Sequence, residues 1–134
     1  MKALFFALTV LCGYSAASPA FAVINVLTCE PEWAALVKEI AGDRARIFSA
    51  TTAKQDPHRI EARPALLAQA RRADLLVCTG AELEIGWLPL LQRESGNANI
   101  QEGRPGYFEA ARFVQMLEKP ATLNRAMGDV HAAG

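Results

Sequence analysis

The sequence predicts an α/β fold, a small parallel sheet flanked by helices, and three observations carry that expectation. Short apolar, β-rich runs (Val23 to Cys29, Arg46 to Ala50, Asp74 to Cys78) alternate with segments of helical spacing. The first run is nearly all apolar, as a strand covered on both faces should be. Strand, helix and second strand fit within about 30 residues, the size of a βαβ unit, whose crossover is nearly always right-handed.

Each element has a local cause. After the strand Val23 to Cys29, Glu30 and Pro31 open a helix in which Trp33, Leu36, Val37 and Ile40 recur at helical spacing. Gly42 is placed to end it. Arg46 to Ala50 is the second strand. Pro64 suits the first turn of a second helix, Pro64 to Ala73, which is rich in alanine and leucine. Arg71 and Arg72 sit in its last turn, where cations suit the helix dipole. Asp74 to Cys78 is the third strand, broken by Thr79 and Gly80. Glu82 to Glu94 carries six large apolar residues but is interrupted by Gly86 and Pro89, so a bent helix is expected. Gly96 to Asn99 reads as a loop and Ile100-Gln101 as a short fourth strand. Gly103, Pro105 and Gly106 punctuate a turn. Tyr107 to Leu117 either includes a short helix or is irregular, and Pro120 to Gly134 is expected to be mostly loop.

The chain has 134 residues and a formal net charge of zero. Lys2, the apolar run Ala3 to Cys12 and the ending Ala20-Phe21-Ala22 read as a secretory signal, residues 1–22, cleaved after Ala22. Its apolar core is shorter than the roughly 20 residues of a membrane span, so a signal anchor is the weaker alternative. A lipid-modified Cys12 is disfavoured because Leu11 is bulky. The remaining 23–134 make one small domain, with no repeat or linker to mark a second. Loss of Lys2 leaves it with one net negative charge. It has no basic patch with interleaved aromatics, so nucleic acid is not an expected partner. No later apolar run approaches membrane length, and the mature chain is expected to be soluble.

Two cysteines survive processing. Cys29 and Cys78 each end a strand, so on adjacent parallel strands they would lie level. Outside the cytoplasm such a pair invites a disulfide; the alternative is two buried free thiols.

The stretch Gln55 to Pro64 is the candidate site. Pro57 disfavours helix at Asp56, and Pro64 starts the next helix. His58, one of two histidines, is thus presented by a short, stiffened loop after a strand, where open α/β sheets place ligands. By itself a loop histidine is usually just solvated, and a tight metal site needs three or four ligands. Asp56 is expected to hydrogen-bond within the loop. Glu82 and Glu84 read as helix-start partners, Trp33 and Trp87 as core, and His131 as part of an irregular end. The chain lacks GxxxxGK[ST], GxSxG, HExxH and a dinucleotide fingerprint.

Asp56-Pro57-His58, Pro64, Ala73 to Val77, Gly80, Leu83-Glu84 and Trp87-Leu88 together form a pattern. From Val23 to Leu91 the chain resembles the zinc- and manganese-binding solute-binding proteins of bacterial ABC importers, the ZnuA- and TroA-like group. The resemblance implies the amino-terminal lobe of a two-lobed protein, with metal held between the lobes on three histidines and a carboxylate. His58 matches the family's first histidine ligand. Gly80 and Glu84 match structural positions. The resemblance also implies a non-enzymatic role: capture of a metal in the periplasm and its delivery to a membrane permease. Histidine as the visible ligand favours zinc over manganese, and a monomer is expected. Such proteins are about twice as long, so the carboxyl lobe with its ligands is expected to be missing and zinc binding by this chain alone to be weak. His131 would fall in the loop before the second histidine. An adhesin-type module of the same fold, or a zinc hydrolase fragment, are the alternatives; wall anchoring and a general-base motif respectively are not seen.

Overall fold

A computed structural model describes residues 22–117. Four strands, β1 (Ile24–Thr28), β2 (Ala45–Ser49), β3 (Leu75–Cys78) and β4 (Tyr107–Glu109), form one sheet in the order β2-β1-β3-β4. Every ladder is parallel, with Thr28 level with Ser49 on one side and with Val77 on the other. The helices are α1 (Pro31–Ala41), α2 (Pro64–Arg72) and α3 (Leu88–Ser95). The chain leaves β1 for β2 through α1, then crosses back through α2 to β3. That reversal makes the gap between β1 and β3 the switch point of the sheet, the usual ligand crevice of open α/β folds.

One face of the sheet carries the core. Leu27 and Leu76, level in adjacent strands, pack with Leu66 and Ala70 of α2 and Leu88 and Leu91 of α3. Leu27, Leu76, Leu91 and Ile100 are almost fully excluded from solvent. On the other face Val26 and Thr28 of β1 and Val77 of β3 are also buried. α1 packs against β2, but none of its residues is fully buried, and Leu36 and Ile40 are exposed. The apolar spacing of α1 therefore overstates its burial: among the described residues, only Trp33 and Val37 of its stripe lie half-covered.

Three expected elements differ. Residues 82–94 are not one bent helix. Turns occupy 81–87, and α3 begins only at Leu88 with Pro89 in its first turn. Proline is at home there, so it marks a start and not a kink. Ile100 is not in a strand: Ala98–Ile100 is a single 3-10 turn started by the Asn97 side chain, which accepts the Asn99 N–H. The fourth strand is Tyr107–Glu109, followed by a 3-10 turn, Ala110–Phe113. β4 is short and pairs on one side only, so its three residues carry little β signal. Gly106 ahead of it packs against the Asn99 and Asp74 carbonyls, where a Cβ would come within 2.6 Å of the Asn99 oxygen. The signal segment, apart from Ala22, and His131 lie outside the described residues.

Candidate metal site

The loop between β2 and α2 is anchored at its start. Thr51 is buried, and both its N–H and its hydroxyl donate to the Cys29 carbonyl, at 3.1 and 2.9 Å. Beyond it the loop shapes itself. Gln55 Oε1 accepts from the Thr52 N–H at 3.0 Å. Asp56 Oδ1 accepts from the His58 backbone N–H at 3.0 Å and lies 2.8 Å from the His58 ring Nδ1. Arg59 approaches its other oxygen at 3.6 Å. The His58 N–H and ring hold the Asp56 carboxyl below the usual carboxylate range. The His58 side chain is about one-fifth exposed, neither sunk in the core nor loose in solvent.

Beside this loop lies the turn from Thr79 to Trp87. Glu84 organises it: one carboxylate oxygen accepts the Thr79 N–H at 2.8 Å and the other the Gly80 N–H at 3.0 Å. Gly80, Ala81 and Glu82 all have positive φ, a left-handed run that a side chain resists. A Cβ at Gly80 would also collide with the Glu109 side chain. Trp87, 2% exposed, closes the turn and donates its indole N–H to the Pro57 carbonyl at 2.7 Å. Thus Glu84 is not a solvated helix-start charge. It is a buried clasp on loop backbone.

Glu84 has a buried neighbour in Glu30. Burial first, and the Glu84 charge second, push the Glu30 carboxyl up to about 8, so it keeps its proton at neutral pH. Burial raises Glu84 as well, opposed by the backbone donors it accepts. Thr79 links the group, its hydroxyl donating to Glu30 Oε2 at 3.1 Å and accepting the Trp33 indole N–H at 2.8 Å. Trp33, expected in the core, is instead half-buried outside the core cluster and anchored by this hydrogen bond. Nothing local in the sequence announces these partnerships, which join residues 46 and 49 positions apart.

Cys29 and Cys78 form a disulfide, with Cα atoms 4.8 Å apart, across the switch point. With Glu84 they place ligand-type atoms within 4.8 Å of one another, but sulfurs joined to each other are not thiolates and do not ligate. Among the described residues, no such group of three includes His58. An open groove between α2 and the β2 edge, about 450 Å³ and lined by Arg46, Phe48, Gln69 and Arg72 among others, contains no residue of the His58 loop.

Comparison with known proteins decides the family. Residues 26–128 match the model of the zinc-uptake complex component A, periplasmic. The chain belongs to this ZnuA family. It is 30% identical over 109 residues to the manganese ABC transporter substrate-binding lipoprotein PsaA of Streptococcus pneumoniae, covering 81% of this chain and 35% of that protein. It is 29% identical to the metal ABC transporter substrate-binding lipoprotein FimA of Streptococcus parasanguinis, over 90% of this chain and 39% of that one. The chain thus spans little more than a third of the length of these curated relatives. Solved structures bear out the fold. A zinc-bound deletion mutant of ZnuA superposes with a TM-score of 0.61 at 24% identity, over 73% of this chain and 35% of that one. A manganese-bound periplasmic metal-binding protein from Candidatus Liberibacter asiaticus gives 0.59 at 18% identity, over 81% and 36%.

Proposed function

We propose that this chain is the amino-terminal lobe of a solute-binding protein that captures a transition metal outside the cytoplasm for an ABC import permease, and that His58 supplies one ligand. The observation that carries this is the Asp56–His58 pair. A carboxylate on Nδ1 fixes the ring's tautomer and orientation and raises its basicity, the arrangement that accompanies metal-bound histidine, and assigns Nε2 to the metal. The family match and the relatives named as metal-transporter binding proteins support the same role. It is binding and release, with no chemical step.

The cargo is zinc in preference to manganese. Imidazole suits zinc, whereas manganese favours oxygen ligands. The family model names zinc, while several relatives are named for manganese. The disulfide fits an oxidising compartment, as does the signal read at residues 1–22. The protein acts as a monomer that docks on the permease when loaded.

Zinc titration of the chain, its His58→Ala variant and its Asp56→Asn variant tests this. The chain should bind weakly, because His58 is one proposed ligand where a tight site needs three or four. H58A should abolish binding, and D56N should weaken it about tenfold with little change in stability. A nanomolar site in the chain alone, or zinc binding that survives H58A, would contradict the assignment.

A further inference from the structure

We propose that Trp87 is a positioning residue for the metal loop, acting on His58 through the Pro57–His58 peptide. This rests on His58 being a ligand, as proposed above. A peptide unit is planar, so holding its oxygen and its N–H fixes the whole plane. Here both ends are held. The Pro57 oxygen accepts the Trp87 indole N–H at 2.7 Å, and the His58 N–H donates to Asp56 Oδ1 at 3.0 Å. The same Asp56 oxygen meets the ring Nδ1 at 2.8 Å. Plane and ring are therefore set together.

The bonds from Asp56 and Gln55 shape the loop internally. The Trp87 bond joins it to the turn after β3, reaching across 30 residues. Trp87 is itself immobile. It is 2% exposed, its backbone N–H donates to the Glu84 carbonyl, and Glu84 clasps Thr79 and Gly80 beside the disulfide. A buried indole N–H generally finds some acceptor, so the bond by itself would be unremarkable. Its target sets it apart, a carbonyl one bond from the ligand residue.

The test is zinc titration followed by the His58 imidazole resonances, in the wild-type chain and in Trp87→Phe, which keeps an aromatic ring and removes the donor. W87F should bind zinc about tenfold more weakly and show a changed His58 ring signature before metal is added. Leu91→Ala is the control. It hollows the same core, lowers the melting temperature at least as much, and should leave zinc affinity within about twofold. Wild-type affinity in W87F, or an equal loss in L91A, overturns the proposal. If W87F does not fold, the unmodified chain still decides. The Trp87 indole N–H resonance should move on adding zinc while that of Trp33 stays, and a still Trp87 signal overturns it. H58A separates the two claims: zinc lost in H58A but kept in W87F removes positioning alone, whereas zinc kept in H58A removes the ligand itself.

Discussion

The loop of residues 50–63 and the turn of residues 79–87 leave the same end of the sheet, yet they are built differently. The loop is made by neighbours: Thr52 with Gln55, Asp56 with His58 and Arg59. Most of it is exposed, while its start, Ile60 and Ala62 reach the core. The turn is made by burial. It runs through left-handed backbone that two non-glycine residues adopt, stabilised by a carboxylate that is 2% exposed. The proposed ligand and its support are therefore separate constructions. His58 sits on a loop with its own local bonds, tied to the buried turn next to it by the Trp87–Pro57 bond.

The disulfide underlies both, because Cys29 accepts the Thr51 bonds and Cys78 precedes the turn. Breaking it should have the largest effect. Closing a loop with a sequence separation of 49 corresponds to roughly 4 kcal/mol in the chain-entropy model. Denaturant unfolding with and without a reductant should show most of that loss, and a change under about 1 kcal/mol would mean that reduction leaves the unfolded chain as restricted as before.

Next come one substitution on each side. Glu84→Ala leaves the Thr79 and Gly80 N–H groups without their acceptor and should cost about 2–6 kcal/mol, at about 1–3 for each stranded buried donor. Gln55→Ala, in the exposed loop, should cost under about 0.5 kcal/mol. Comparable losses in the two variants would erase the distinction between a clasped turn and a self-made loop.

The pH dependence of stability probes the turn alone. Folding raises the Glu30 carboxyl from 4.5 to about 8. The folded state therefore holds a proton that the unfolded chain has released between those values, so stability falls as pH rises through that window and stays lowered above it. Moving from pH 8 to pH 6 should raise the melting temperature, with a slope of at most about 1.4 kcal/mol per pH unit. Glu30→Gln should flatten this slope to what Glu84, also raised by burial, contributes, and be more stable than wild type at pH 8. An unchanged slope in E30Q would place the titration on another group.

The loop was legible because its determinants are adjacent in sequence: Pro57 and Pro64 limit the backbone, and Asp56 stands two residues from His58. The level ends of β1 and β3 likewise follow from chain order and an apolar pattern, so the cysteine pairing was open to inference. The turn was not legible. Leu83, Ile85, Trp87 and Leu88 have a helix-like spacing, but Ile85 is exposed and Glu84 points inward. The distant residues Glu30, linked through Thr79, and Pro57, which accepts from Trp87, explain that reversal. β4 was missed for a related reason, since its strand identity comes from pairing with β3 and not from its own three residues.

A zinc-soaked crystal of the chain, read by anomalous scattering, is the most direct measurement of the metal assignment. A zinc peak about 2.0–2.1 Å from His58 Nε2, with Asp56 still on Nδ1, is the expected result. Zinc on Nδ1 with Asp56 displaced, or zinc bound elsewhere while His58 carries none, would contradict it.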